Sequence, residues 1–219
     1  MNFGLLNRPA ANDADLEHRV TEAIEYFGAF RNPWLFTASE DWLGRNALSL
    51  VSRVGLVRKL DLTGMAAERL SPPVRAFPPN VQLRRIVDEE TRTALADLNA
   101  DAYGVPKEWT RPVVGSAVLW ESRLFGTLAH VAGEPALGAF AVPIDKALYV
   151  AWVATAKTYQ RLGLAELVIR TSLEDARKAT GIERTILHAT EEGVSVYRRM
   201  GYRSVVKFPL YGDREREDK

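Results

Sequence analysis

Apolar residues recur at helical spacing through Leu16, Val20, Ala23, Ile24 and Phe27, which predicts an amphipathic helix started by Asp13 or Asp15 and ended by Gly28. The apolar run Trp34–Ala38 then reads as a short buried strand. A second helix is expected from about Ser39, with Leu43, Ala47, Leu50, Val51 and Val54 on one face and Gly55 just past its end. Leu56–Leu62 reads as another strand. Ser71-Pro72-Pro73 and Pro78-Pro79-Asn80 bracket a stretch suited neither to a helix nor to a sheet interior, and a domain boundary is drawn there.

Beyond it, Val81–Ile86 reads as a strand, followed by a helix through Leu95, Leu98 and Ala102. Residues 104–122 read as a long connection holding one short helix. Three strands are expected at Gly126–Ala132, Ala136–Val142 and Leu148–Ala154, the first two joined by a turn at Gly133-Glu134. A helix from Gly163 to about Ala179 turns Leu164, Leu167, Val168, Thr171 and Ala176 inward. Arg184–Thr190 is expected as a strand, Val194–Met200 as a short helix closed by Gly201, and Tyr202–Leu210 as a final strand. The chain thus divides into a helix-strand-helix-strand segment over 1–78, a domain over 79–212 and a charged tail over 213–219.

One internal similarity stands out. Pro33–Ser39, a helix, Gly55 and a strand run in the same order as Arg184–Thr190, a helix, Gly201 and a strand, and each set follows an amphipathic helix. Strand-helix-strand units are common, so coincidence and a true half-repeat both stay open.

Composition narrows the function classes. The chain has 219 residues, 47% hydrophobic and 26% charged, an ordinary globular mix long enough to bury a core without staples. Twenty-nine basic against twenty-eight acidic residues leave a net charge of +1, which gives little pull on nucleic acid or an anionic membrane. The absence of Cys removes disulfides, thiolate nucleophiles and Cys-based zinc sites, and no G-x-S-x-G elbow is present, so a covalent acyl-enzyme is disfavoured. His18, His130 and His188 are far apart and no metal site is expected. With neither a membrane-length apolar run nor a signal-peptide core, the expectation is a cytoplasmic protein.

The informative stretch is Tyr149–Ala165, where a strand stops near Thr155 and a helix starts at about Gly163. The unpaired amides of Arg161 to Ala165 would point out together beside the positive end of the helix, a site suited to phosphate or pyrophosphate. Downstream, Tyr197-Arg-Arg-Met-Gly201-Tyr202 closes the short helix. Together, Gln160-x-x-Gly163-x-Ala165 and Tyr197-x-x-x-Gly201-Tyr202 resemble the GNAT superfamily of acetyl-CoA-dependent N-acetyltransferases, in element order over Val81–Gly212 and in specific motifs over Val153–Tyr202.

The resemblance implies an α/β (α+β) fold whose mixed, mostly antiparallel central sheet is flanked by helices, with the N-terminal segment resembling half such a domain. It implies acetyl-CoA as acetyl donor and direct transfer to a primary amine, of a small molecule or of a protein. Trp152, Val153 and Thr155 fall where the family's strand offers main-chain groups to pantetheine. Gln160, Arg161, Leu162, Gly163, Leu164 and Ala165 fall on the pyrophosphate turn. Thr190 stands where many members carry a CoA-contacting Asn. Tyr197 falls on the general acid, and a phenol of pKa ~10 can protonate a thiolate whose conjugate acid lies near ~8.5. Asp101, Tyr103, Trp109 and Trp120 lie on the acceptor side, where aromatics can wall an amine site or fill the core.

Departures from the pattern leave the general base unassigned. The strand Leu148–Ala154 has no acid where members often carry Glu; His188, Glu121, Glu191 and Glu192 remain as candidates, and alternation turns His188 toward the core. A non-catalytic acyl-CoA-binding regulatory or scaffold module is the alternative, and a homodimer stays open. In the N-terminal segment Val51 stands where Tyr197 stands and no Q-x-x-G-x-A turn precedes its strand, so no second CoA is expected there.

Overall fold

A computed structural model describes residues 2–30, 33–74, 76–121 and 123–214. In chain order the elements are β1 (Asn2–Leu5), α1 (Asp13–Gly28), β2 (Trp34–Thr37), α2 (Ala47–Arg53), β3 (Leu56–Ala67), β4 (Val81–Arg85), α3 (Glu89–Tyr103), α4 (Lys107–Val114), α5 (Ala117–Glu121), β5 (Phe125–Val131), β6 (Glu134–Ile144), β7 (Ala147–Thr155), α6 (Leu164–Thr180), β8 (Thr185–Ala189), α7 (Glu191–Arg199) and β9 (Arg203–Asp213). Contacts gather the described residues into two units that are discontinuous in sequence: one within 2–64, 189–194 and 204–214, the other within 65–188 and 195–203.

In the first unit β1 pairs parallel with β2, and β2 pairs antiparallel with β9. Its core joins Leu16 and Val20 of α1 to Trp34, Phe36, Leu50, Val51 and Tyr211. The α1 cap is Asn12 rather than Asp13 or Asp15: its side chain accepts from Asp15 N at 3.0 Å, while the Asp15 carboxylate accepts from Ala11 N at 2.8 Å. The helix expected from Ser39 is only α2, preceded by a 3-10 turn at Glu40–Trp42. Gly44 and Asn46 interrupt the run, and the Asn46 amide donates to Asp13 at 2.8 Å instead of serving the helix.

The second unit is built on a mixed sheet. β4 with β5, β5 with β6 and β6 with β7 pair antiparallel, and β7 with β8 parallel. The β5–β6 turn is Ala132-Gly133, one residue earlier than its sequence placement: both have positive φ (53° and 87°) and Val131 pairs with Glu134, the geometry a two-residue hairpin needs. Connection 104–122 holds two helices, α4 and α5, rather than one.

Two helices cover the faces of this sheet. Thr127 meets Ser172 of α6 at 3.0 Å between hydroxyls, while the adjacent Leu128 packs with Leu95 of α3. Neighbours on a strand face opposite ways, so α6 and α3 lie on opposite faces. Leu95, Leu128, Ile169 and Leu173 are fully buried, each worth roughly 1.5–3 kcal/mol of apolar transfer. A capping box starts α3: Thr91 N donates to Asp88 at 2.8 Å, and Asp88 N donates back to the Thr91 hydroxyl at 3.2 Å.

At the C-terminal end, α7 starts at Glu191 rather than Val194. Asp213, assigned from the sequence to a charged tail, ends β9; residues 215–219 of that tail lie outside the described residues. Among the described residues, no helix is long and apolar enough to cross a membrane.

Candidate functional site

Where β7 ends, the backbone makes a 3-10 turn at Lys157–Tyr159 and then adopts left-handed conformations at Arg161 (φ 65°) and Gly163 (φ 79°) before α6 begins at Leu164. For Arg161 this conformation costs about 1–2 kcal/mol, whereas Gly163 adopts it freely. The turn delivers the first amides of a 17-residue helix to one concave surface, where the helix dipole adds partial positive charge. A cavity of about 100 Å³ opens on it, lined by Thr155, Tyr159, Arg161, Gly163, Leu164, Ala165, Glu166, Val196 and Arg199.

Five of the ten residues that the sequence assigned to a cofactor line this cavity: Thr155, Arg161, Gly163, Leu164 and Ala165. Gln160 and Leu162 are exposed beside it. Sequence reasoning missed Tyr159, Glu166, Val196 and Arg199. Arg199 was hidden because a basic residue in a helix's last turn reads as a dipole partner. Glu166 is 7% exposed and held by Arg170 at 2.7 Å, which also donates to Ser71 O at 2.6 Å. With Glu166 paired internally, Arg161 and Arg199 give the cavity wall a net positive character.

Trp152 and Val153 belong to a second feature, a bulge in β7. Gly138 pairs with Ala154 and Phe140 with Ala151, so Trp152 and Val153 together oppose Ala139. Trp152 is left-handed, with φ 55°. Two residues one turn apart on α3 hold the bulge: the Asn99 amide donates to Trp152 O and the Tyr103 hydroxyl to Val153 O, both at 3.4 Å. Asn99 is 1% exposed and its Oδ1 has no partner among the described residues. Pairing with β8 runs from Leu148 with Thr185 to Val150 with Leu187, and among the described residues no β8 pair continues it from Ala151 onward.

The phenols of Tyr103, Tyr149, Tyr197 and Tyr202 interact. Tyr197 of α7 is buried, its ring edge-to-face with Tyr202 at 5.9 Å. Burial pushes its phenol well above the ordinary value, and the phenols of Tyr103, Tyr202 and Tyr149 push the same way. Tyr202 is pushed up to about 12 by burial. Tyr103 and Tyr149 are also raised by desolvation, Tyr103 although much of its ring is exposed.

Tyr149 OH lies 3.1 Å from His188 Nδ1. His188 does not turn into the core as alternation suggested; it stands exposed between buried Leu187 and Ala189. It keeps an exposed edge, yet enough water is stripped from the ring to hold its pKa below the ordinary value.

The acceptor-side residues separate. Trp120 goes into the core, its indole N–H donating to Val114 O at 2.7 Å and its ring edge-to-face with Phe140 at 5.6 Å. Trp109 is exposed on α4 and Asp101 pairs with Lys107 at 3.7 Å. Thr190 is exposed and belongs to the first unit, where its carbonyl accepts from Gly193 N and Val194 N at the start of α7. Glu121, Glu191 and Glu192 are exposed. Among the described residues, no three His, Asp or Glu side chains converge as metal ligands would.

Residues 107–211 match the family model described as an acetyltransferase (GNAT) domain. No curated protein matches the chain. Among solved structures, a GCN5-related N-acetyltransferase from Kribbella flavida superposes with a TM-score of 0.72 at 20% identity, covering 97% of this chain and 81% of its own. A GCN5-related N-acetyltransferase-like protein from Streptococcus suis 89/1591 gives 0.63 at 16% identity, covering 97% and 79%. A tandem GNAT protein from the clavulanic acid biosynthesis pathway gives 0.64 at 15% identity, covering 91% and 68%. At these identities the likeness is one of fold, and the expected mixed, mostly antiparallel sheet flanked by helices is the observed one.

Proposed function

We propose that this chain, whose residues 107–211 match the acetyltransferase (GNAT) domain, moves the acetyl group of acetyl-CoA directly to a primary amine. The observation that carries the reading is the turn at Arg161 and Gly163: two left-handed residues at the start of α6, opening on a cavity edged by Arg161 and Arg199. Such a turn suits a pyrophosphate, because amides and dipole act on the same anion. Arg161, Gly163, Leu164 and Ala165 are assigned to hold it, with Gln160 and Leu162 at the rim. The edge of β7 at Trp152, Val153 and Thr155 is assigned to the pantetheine arm.

In this reading Tyr197 holds the proton that the departing thiolate takes up, and its raised pKa keeps that proton in place at neutral pH. Burial behind Tyr202 keeps water from competing. Tyr103 and Trp109 stay on the acceptor side; Trp120 contributes by packing. The acetyltransferase domain is assigned to 79–212.

Residues 1–78 are proposed as a degenerate half-domain. Its support is a shared helix end. Val54 N donates to Leu50 O and Gly55 N to Ser52 O in α2, as Met200 N does to Val196 O and Gly201 N to Arg198 O in α7. Gly55 and Gly201 have φ of 95° and 99°. Screening the purified protein with acetyl-CoA against an amine library, with mass-spectrometric detection, tests the function. Acetylated amines are the expected result; acetyl-CoA binding without any product would leave the protein a non-catalytic acyl-CoA module.

A further inference from the structure

We propose that Tyr149 and His188 form the route by which the acceptor amine loses its proton, the Tyr149 hydroxyl taking it up while its own proton passes to His188. This rests on the acyl-transfer reading above. A primary amine of ordinary basicity, with a pKa near ~10, is protonated at neutral pH and cannot attack a thioester until a proton leaves. Neither β7 nor β8 carries an Asp or Glu to receive it.

The titratable groups linked here include Tyr103 from α3, whose hydroxyl reaches the bulge, Tyr149 from β7 with His188 of β8 beside it, and Tyr197 of α7 with the neighbouring Tyr202, whose phenols interact. The phenols of Tyr103, Tyr149 and Tyr197 are all shifted upward and keep their protons at neutral pH. His188, shifted downward by desolvation, arrives neutral and able to accept.

Geometry joins the two residues. Tyr149 stands two positions before Ala151, the last residue ahead of the bulge, and so shares its face of the sheet. Its phenol also feels that of Tyr103, whose hydroxyl reaches Val153 O. On its other side the hydroxyl is 3.1 Å from His188 Nδ1, and the rings meet edge-to-face at 5.6 Å and 67°. With the imidazole proton on Nε2, Tyr149 donates to Nδ1.

One amine N–H bond breaks and its proton goes to the Tyr149 oxygen as the Tyr149 O–H proton forms Nδ1–H on His188. The amine nitrogen bonds to the thioester carbon, the C–S bond breaks, Tyr197 gives its proton to the sulfur, and the second surplus proton of the nitrogen passes to the Tyr197 oxygen, leaving a neutral amide and a restored phenol. The His188 imidazolium then releases a proton to water from its exposed edge. Moving both protons together avoids a free phenolate, which the raised pKa of Tyr149 disfavours.

The test is a pH–rate profile of wild type, Tyr149→Phe, His188→Gln and the double variant, following CoA thiol release with n-hexylamine, spermidine, tyramine and a short peptide as probes. Acetyl-CoA affinity is measured separately by calorimetry. At pH 7 each single variant should lose at least about ten-fold in turnover, with acetyl-CoA affinity unchanged. The double variant should lose no more than the worse single one, because the two act in series. The deficit should close near pH 10, where the amine sheds its proton unaided, a recovery that a misfolded variant cannot show. A deficit equal at every pH, or no deficit, overturns the relay and leaves the acyl-transfer reading standing. A wild-type protein that binds acetyl-CoA but acetylates none of the probes overturns both.

Discussion

Tyr197 and Tyr202 are joined twice: Tyr202 N donates to Tyr197 O at 3.0 Å, and their rings meet edge-to-face 5.9 Å apart. With Gly201 N on Arg198 O at 3.0 Å, these bonds form a Schellman end to α7 that fixes the Tyr197 ring from behind. Phe can keep the ring contact and loses only the hydroxyl. Tyr197→Phe should therefore leave acetyl-CoA affinity within about two-fold and lower turnover by at least ten-fold, within the ~10²–10⁴ range of general acid catalysis. The phenol is the active form while protonated, and its pKa is raised, so the alkaline loss of activity should lie above the ordinary value of ~10. Steady-state kinetics across pH would check this; a wild-type rate in the variant would return Tyr197 to packing.

That helix end predicts a contrast between two glycines. Gly55 and Gly201 have nearly equal φ, but a Cβ at Gly55 meets nothing within 4 Å, whereas one at Gly201 falls 2.9 Å from Ser71 N and 2.7 Å from its hydroxyl. Gly55→Ala should cost about 1–2 kcal/mol of conformational strain. Gly201→Ala adds overpacking of roughly 1–3 kcal/mol against backbone that cannot step aside. Denaturant unfolding of both variants measures the difference, and equal losses would contradict it.

These two positions also show what the sequence made legible. Long amphipathic stripes identified α1, α3 and α6, because 15 to 17 residues repeat the helical period several times. β1 escaped because its four residues are mostly exposed and its pairing is tertiary. The double helix at 107–121 was obscured by Pro112, which normally breaks such elements.

At the site, Gly163 and the helix start were readable, since helix-start chemistry is local. Nothing in Ala-Trp-Val-Ala announces a left-handed Trp152, because a bulge is decided by pairing with β6. For the same reason strand alternation misdirected His188, whose side chain meets Tyr149 from the neighbouring strand.

Asp97 ties α3 to α4, accepting from Arg111 at 2.7 and 2.8 Å and from Lys107 at 3.2 Å. The Arg111 guanidinium holds its carboxyl below the ordinary 3.8, against an opposing push from partial burial, with Lys107 helping. A carboxyl lowered in the folded state stabilises fully above its unfolded value, and that contribution is lost as pH falls through the folded one. Asp97→Asn should therefore lower stability by about 0.5–1 kcal/mol at pH 7 and by clearly less near pH 2, below the ordinary 3.8. Melting curves at the two pH values decide; an equal loss at both would show that charge is not what Asp97 contributes.

Acetyl-CoA should raise the melting temperature of the protein, whereas NAD and ATP should not. Binding to the native state alone stabilises by about 2.7 kcal/mol at a hundred-fold excess over Kd. The chain has neither the G-x-G-x-x-G glycines nor the Lys of a nucleotide P-loop at the α6 turn. An equal shift with ATP would mean that the turn reads phosphate without regard to the rest of the ligand.

Calorimetric titration of acetyl-CoA into wild type and Gly163→Asp tests most directly that the α6 turn holds the cofactor. Gly163 has open space where a Cβ would sit but a φ of 79°, so Asp adds about 1–2 kcal/mol of strain that the fold can absorb, and it sets a carboxylate on the anion position. Wild type should bind one acetyl-CoA per chain saturably, and a Gly163→Asp variant that still melts cooperatively should show no measurable binding. Binding of equal strength to both proteins, two sites per chain, or no heat from wild type at millimolar acetyl-CoA would contradict that role of the α6 turn.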